Sequence, residues 1–414
     1  MKIGFVVQQA PELRWPPFDG PAEHIRNVVG SLQQLGHSVR LVVGINGAAW
    51  SSDDLDILQP VTPSSRGGVG RHLERGARRM QSSLRLPYLN LFDSHHFSLA
   101  CVRELKDVDL LYERLSWTGY GGHWAAGRLG LPHALEYNGD PLLDLEAKKI
   151  APRGLQRRFA CWGMRRILNQ ADHIVASGHG WRRQLLEAWG VEAGRVTVVE
   201  NGTALLGLLE RSQLSSFGPE IPVDRPIEVV YLGGFLPWHG IDRLLLAAAK
   251  IGQEGLRFRL RLIGSGPGLE AAEVLAGELG IRDRVAFLGN RLPAEYAPML
   301  AGSDLAVSPY CGWKEYSGLK LLDYKAAGLA IVASGEGGEP ATLSHGFTGL
   351  IVPPCDVEAL AQAILTLAAS PSLRRSMGQA ARLEAELHHS WARTAGSLER
   401  LFEQLISRGV IHEA

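Results

Sequence analysis

Short apolar runs recur along the chain, each separated from the next by a stretch of helical periodicity. The first set comprises Lys2–Val7, Ser38–Val43, Leu110–Tyr112, Ala134–Tyr137, His173–Ala176 and Val196–Val199. The first helical stretch, Ala22–Leu35, stops at Gly36. Runs apolar on both faces, with helices between them, predict a parallel sheet covered on both sides. The rhythm breaks over Ser212–Pro226, which is rich in Ser, Pro and Gly, and resumes at Ile227–Leu232, Arg257–Ile263, Val285–Leu288, Leu305–Ser308 and Ala330–Ala333. This predicts an α/β chain of two doubly wound domains joined near residue 215. A closing helix over His388–Ser407 carries Trp391, Leu398, Leu401, Phe402 and Leu405 at near-helical spacing.

A chain of 414 residues exceeds one ordinary domain, which agrees with that division. The formal net charge is zero, so no global field selects nucleic acid or a membrane. Up to Leu205 there are 24 Lys and Arg against 20 Asp and Glu, a net of +4, and the remainder balances it at −4. Cys101, Cys161, Cys311 and Cys355 form no C-x-x-C pair and read as reduced thiols in a reducing compartment. The opening MKIGFVVQQA reads as a first strand rather than a signal peptide, and no run approaches the length of a spanning helix. Arg66, Arg71, Arg75, Arg78, Arg79 and Arg85 crowd one segment, which reads as a solvated insertion or, alternatively, as a face toward a membrane or an acceptor. Asp53, Asp54 and Asp56 read as a solvated polar loop.

Three Gly-rich loops fall where strands feed helices: Asp19-Gly20-Pro21, Gly233–Gly240 and Gly264–Gly268. Helix N-termini at such turns offer backbone N–H groups to phosphate. The third loop departs from the dinucleotide fingerprint, having Gly-x-Gly-x-Gly spacing and Pro267 where the backbone should approach a pyrophosphate. A dehydrogenase is thereby disfavoured. The segment with most chemistry runs from Glu315 to Ala333. Glu315 is followed by Ser317-Gly318-Leu319-Lys320 opening a helix, and a second carboxylate, Asp323, stands eight positions after the first. One carboxylate at the mouth of a helix, another along it and N–H groups between them suit a diphosphate.

This segment resembles the Glu-x7-Glu signature of retaining family 4 glycosyltransferases of GT-B fold. SGLKLLDYKAAGLAIVAS here is similar to the subset sequence SPLKLFEYMAAGKPVVAS. Other pieces follow in the family's order. Gly233–Asp242 resembles GSFRPWHGVD, Leu262–Gly268 resembles LVGDGPE, and Val198–Gly202 resembles VPNG. Tyr112–Ser116 and Leu135–Asn138 are similar to ERYS and LEVN, and His345–Pro353 to DGVTGLLVP. The resemblance implies two Rossmann-like domains facing across a cleft: an acceptor-side domain over 1–215 with 390–414, whose closing helix returns to it, and a donor-binding domain over 216–389. It implies donor contacts from Gly234, Phe235, His239, Gly266, Arg291, Ser317, Gly318, Leu319, Lys320 and Asp323, the last toward the ribose. Glu315 and Asn138 become the catalytic pair near the donor sugar, and Gly20, His24, Arg114, Glu136 and Asp140 line the acceptor side.

The donor loop lacks the Arg and Lys that most of the family carries, with Gly234 and His239 in the region where those cations stand; Lys320 and a protonated His239 are expected to compensate the diphosphate charge. Lys325 replaces a usual Met, and Asn138 a frequent His. No Asp-x-Asp stands at a strand end and no metal-ligand spacing occurs, so a nucleotide-diphosphate sugar is expected as substrate with no cofactor and no metal. The implied activity is transfer with retention to a carbohydrate or lipid-linked acceptor, the departing diphosphate itself taking the proton. The expected location is cytoplasmic, with peripheral membrane contact at the inner face and no nucleic acid partner. A nucleotide-sugar epimerase and a degenerate nucleotide-sugar-binding subunit are the alternatives, separable by donor hydrolysis.

Overall fold

The computed structural model describes residues 1–9, 20–55, 57–61, 76, 79–80, 90–215, 225–312 and 318–412. These form two compact units, one of Met1–Glu200 with Thr394–Ala414 and one of Asn201–Arg393. The first boundary thus lies earlier than the Ser/Pro-rich stretch suggests. Residues after Asn201 belong to the second unit because Leu205, Leu209 and Leu214 share a buried cluster with Val230, Ala306 and Leu321. The Arg382 guanidinium also donates to the Leu209 carbonyl at 2.9 Å. Irregular composition marked a loop there, whereas burial sets the boundary.

The first unit is an eight-stranded sheet ordered β4-β3-β2-β1-β5-β6-β7-β8. Strand β1 (Lys2–Val7) lies between β2 (Ser38–Ile45) and β5 (Leu110–Arg114), followed outward by β6 (His133–Tyr137), β7 (His173–Ala176) and β8 (Val196–Val198). These pair in parallel, as with Phe5 opposite both Leu41 and Tyr112. Two antiparallel strands, β3 (Ala48–Ser52) and β4 (Gln59–Pro60), extend the edge. The turn into β3 places Asn46 and Gly47 at φ 50° and 76°, as a two-residue hairpin of type I′ requires. Just past it Asp53 is exposed, as expected of a solvated loop, and takes two surface bonds of 2.7 Å from Arg40. The closing helix, Trp391–His412, buries Leu398, Leu401, Phe402 and Leu405. Phe402 lies 5.1 Å, centroid to centroid, from Tyr112, and Tyr112 meets Phe5 edge-on at 5.2 Å.

The second unit is a six-stranded sheet ordered β11-β10-β9-β12-β13-β14, parallel throughout. Its strands are β9 (Ile227–Leu232), β10 (Phe258–Ile263), β11 (Val285–Gly289), β12 (Leu305–Ser308), β13 (Ala330–Ser334) and β14 (Gly349–Val352). Along β9, Val229 and Tyr231 enter one core cluster while Val230 enters another. This two-residue alternation with both faces buried is why the strand reads as a continuous apolar run. The order reverses between β9 and β12, where ligands of open α/β sheets bind. There the ladder ends after Ala306 opposite Val230. The Tyr324 phenol continues it, accepting from Leu232 N–H at 2.6 Å and donating to the Val307 carbonyl at 3.2 Å.

Two cysteines depart from expectation. Cys311 and Cys355, 44 residues apart, form a disulfide that joins the loop after β12 to the loop after β14. Linear spacing showed no pairing because the fold alone brings these strand ends together, and the cysteine argument for a reducing compartment falls with it. Cys101 and Cys161 remain free.

Candidate functional site

The described residues expected at the donor site lie in the second unit, several of them at the carboxyl end of its sheet around Lys320. Lys320 stands in the first turn of helix Leu319–Ala326 and is almost fully buried. Its ammonium lies 4.8 Å from the centroid of the Tyr231 ring and 4.6 Å from that of Tyr310. Tyr231 comes from β9 and Tyr310 from the turn after β12, so the two strands flanking the reversal each supply one aromatic face. The cation also lies against Gly233, where an added Cβ would sit 3.0 Å from Nζ. A cation near a helix N-terminus opposes the helix dipole, and the two π faces offset that cost while holding the charge beside the Gly233 turn.

His239 does not act as the second cation. Its Nδ1 donates to the Gly234 carbonyl at 2.6 Å, and its Nε2 accepts from the Tyr310 hydroxyl at 3.2 Å. Burial, with the nearby Lys320 charge adding to it, drives its pKa down to about 3. The imidazole is neutral at physiological pH, and its work is to orient the Gly234 carbonyl and Tyr310. The expectation of a protonated His239 overlooked that the same burial that places it at the turn removes its charge.

The two Gly-rich loops of this unit bind each other. Phe235 N–H donates to the Ser265 carbonyl and Gly268 N–H to the Phe235 carbonyl, both at 2.9 Å. The Phe235 N–H expected on the diphosphate is therefore already engaged, and its ring is buried in the core. Gly266 serves this approach, since a Cβ there would lie 2.7 Å from Phe235 N. Gly240 allows another: a Cβ would come within 1.7 Å of the Pro309 carbonyl oxygen. Cys311 N–H also donates to the Trp238 carbonyl at 3.0 Å, tying the His239 turn to the Tyr310 turn.

Asp323 lies one helical turn beyond Lys320. Its Oδ1 accepts from the Thr203 hydroxyl at 2.6 Å and its Oδ2 from the Tyr296 hydroxyl at 2.9 Å. Desolvation raises its pKa to about 6, although both hydroxyls pull it down. Each oxygen keeps a lone pair and the residue keeps some accessible surface, so the carboxylate retains capacity for a further hydrogen-bond donor beside the two hydroxyls. Gly318 caps the helix, its carbonyl accepting from Leu321 N–H at 2.8 Å, and Arg291 stands exposed after β11. Glu315 and Ser317 lie outside the described residues, as does the Arg66–Arg85 segment apart from Gly76, Arg79 and Met80. Lys325, the replacement for Met, is fully buried and lies 3.1 Å from Glu384.

In the first unit, His24, Glu136 and Asn138 meet at the carboxyl ends of the strands. His24 Nε2, on helix Gly20–Gln34, lies 2.8 Å from Glu136 Oε1 and 2.9 Å from the Asn138 amide. The Tyr112 hydroxyl donates to the same Glu136 oxygen at 2.7 Å. Burial works to raise the Glu136 pKa, but His24, Arg114 and the Tyr112 hydroxyl outweigh it and the carboxyl sits below its ordinary value. Gly20 is the first residue of that helix, and Arg114 reaches the Pro21 carbonyl at 3.5 Å. Asp140 is otherwise employed. It caps helix Pro141–Ala147 through Leu142 N–H at 2.8 Å and accepts from Trp189 Nε1 at 2.8 Å and Gln184 Nε2 at 3.1 Å. The Asp-Pro sequence signals this N-cap, a structural role that the expectation of Asp140 as an acceptor-side residue did not include.

Tyr231 and Tyr310 against Lys320, and Tyr296 and Thr203 against Asp323, are partners that the linear sequence did not reveal. The available signal was a strand-end aromatic on each side of a lone lysine, but only the sheet order makes those positions neighbours.

Both halves of the chain match glycosyltransferase domains: residues 19–202 the glycosyl transferase 4-like domain, and residues 216–384 the glycosyl transferases group 1 model. The fold is GT-B. Sucrose-phosphate synthase from Thermosynechococcus elongatus superposes with a TM-score of 0.71 at 21% identity, covering 98% of this chain and 99% of that one. HepE of Anabaena in complex with UDP gives 0.70 at 17%, covering 98% and 100%. Among curated relatives, the D-inositol 3-phosphate glycosyltransferase of Nocardia farcinica is 30% identical over 268 residues, which is 61% of this chain and 56% of that protein. The match thus spans about half the length of such relatives.

Proposed function

We propose that this chain transfers a sugar from a nucleotide-diphosphate sugar to a carbohydrate or lipid-linked acceptor, with retention at the anomeric carbon, in the synthesis of a polysaccharide, lipopolysaccharide or other glycoconjugate. The observation that carries the reading is the Lys320 ammonium held between Tyr231 and Tyr310 at the reversal point of the second sheet. As the anomeric C–O bond breaks heterolytically, the departing diphosphate gains one negative charge on top of those it already carries, and a preorganised cation there stabilises that charge as it develops. The neutral His239 keeps Tyr310 and the Gly234 turn in place, and Asp323 takes a ribose hydroxyl as a further partner. In the first unit, His24, fixed by Glu136, and Asn138 present polar groups at the strand ends, and the reading assigns these to the acceptor side. The reading assigns to Glu315 the stabilisation of the oxocarbenium-like state, and to the leaving diphosphate the acceptor's proton. It needs no metal, and it keeps the protein cytoplasmic, where a nucleotide-sugar donor would be drawn upon.

Because HepE was solved with UDP, uridine diphosphate sugars head the donor panel, with guanosine and adenosine analogues beside them. D-inositol 3-phosphate belongs among the acceptors tried, after the name of the curated relatives. Release of nucleoside diphosphate that accelerates with one acceptor supports the proposal. Interconversion of the donor sugar would point instead to an epimerase, and binding with no release to a degenerate binder.

A further inference from the structure

Helix Gly154–Gln170 has two faces of unlike purpose. One, through Ala160, Met164 and Ile167, is buried in the first unit. The opposite face presents Leu155 at 65% exposure, Phe159 at 48% and Trp162 at 60%. Their spacing of four and then three residues makes a single stripe pointing away from the core. Ile150, just before the helix, adds a fourth large apolar side chain at 66% exposure. Scattered exposed apolar residues are ordinary, but an aligned stripe with two aromatics is not explained by the fold of the unit.

Its flanks are basic. The 17-residue helix carries four arginines and no acid. Arg157 is partly spent on Glu146, 2.5 Å away. Arg158, Arg165 and Arg166 are exposed beside the stripe, and the Arg166 guanidinium lies 5.9 Å from the Trp162 ring centroid. Among the described residues no helix is long and apolar enough to cross a membrane.

We propose that this face lies in the plane of an anionic phospholipid surface, with Leu155, Phe159 and Trp162 entering the headgroup boundary and Arg158, Arg165 and Arg166 meeting lipid phosphates. An apolar stripe with an interfacial Trp, bounded by arginines, is the pattern of a helix that rests on a bilayer. A second copy of the chain is the weaker fit, because an isologous contact here would set the three arginines of one copy against those of the other. The contact surface differs from the Arg66–Arg85 segment, for which a membrane face was only the alternative to a solvated insertion.

The test is flotation of the full chain with vesicles of phosphatidylcholine containing one quarter phosphatidylglycerol, against vesicles of phosphatidylcholine alone. Binding is expected only to the anionic vesicles, and it should fall with added salt. Phe159→Ser with Trp162→Ser should weaken it at least tenfold. Replacing Arg158, Arg165 and Arg166 by Gln should weaken it roughly a hundredfold, from about fivefold per basic side chain near the surface. Unchanged melting temperature in each variant separates lost binding from lost folding. Equal binding to neutral vesicles, no binding to either, or variants that float like wild type would overturn the proposal. So would a dimer in solution that Trp162→Ser dissociates, which would assign the face to a second copy. The readout needs neither donor nor acceptor, so it is independent of the transfer reading.

Discussion

Replacing Lys320 by Met isolates the charge at the centre of the donor site while keeping a side chain of similar length. In the native state the change removes two cation–π contacts, each worth about 0.5–2 kcal/mol. A thioether against the same Tyr231 and Tyr310 rings returns about 0.3–1.5 kcal/mol per contact, and removing a cation from a helix N-terminus returns some tenths more. Stability should therefore change by less than about 1 kcal/mol. Binding should change far more, because a charge-assisted hydrogen bond is worth about 1.5–3 kcal/mol, or roughly 10- to 150-fold in affinity. Calorimetric titration should show this loss for the nucleoside diphosphate that wild type binds best, and a loss of under about fivefold for the matching monophosphate. A second readout is the His239 imidazole, whose pKa of about 3 is set first by burial and then by Lys320. NMR should find it shifted upward in Lys320→Met yet still well below the usual histidine value. Equal diphosphate affinity in wild type and variant, or equal losses for di- and monophosphate, would refute the assignment of Lys320 to the leaving group.

Asp323→Asn tests the buried carboxyl. Its folded pKa of about 6 lies above the ordinary 3.8, so the native state binds the proton more tightly and wild type loses stability as pH rises between those values. Relative to the Asn variant, wild type should gain up to about 3 kcal/mol in urea unfolding from pH 7 down to pH 4, and parallel pH profiles would show that the carboxyl is not buried as described. Lys325→Met should be neutral or mildly stabilising, whereas Glu384→Ala should cost about 3 kcal/mol by leaving Lys325 buried without its carboxylate; equal effects would contradict the pairing. Turnover should survive EDTA without added divalent metal, and an EDTA loss restored by magnesium would sink the metal-free mechanism.

The strands were legible because a parallel sheet buried on both faces leaves continuous apolar runs, and β1, β7, β9 and β12 begin and end where those runs do. The edge hairpin was missed. Ala48–Ser52 is short and half-exposed, with Trp50 its one large side chain, so it carries no apolar run, although Asn46-Gly47 announced its turn. Strand β14 was visible only as part of a motif. At the site, Lys320 could be found from its place at a helix start. Its aromatic partners could not, because Tyr231 and Tyr310 become neighbours only through a strand order that sequence does not state. The charge of His239 was equally hidden, since it depends on burial rather than residue type. The Cys311–Cys355 bond belongs with these, joining loops that only the sheet brings together.

The proposed activity is sugar transfer from a nucleotide-diphosphate sugar. It is tested most directly by incubating wild type and Glu315→Ala with the panel of nucleotide-diphosphate sugars and an acceptor extract, and following nucleoside diphosphate release and the anomeric proton of the product by NMR. Wild type should release nucleoside diphosphate with the donor's anomeric configuration kept in the product, and the variant should fall by on the order of a hundredfold. Inverted product, or donor that binds and is never turned over, would contradict it.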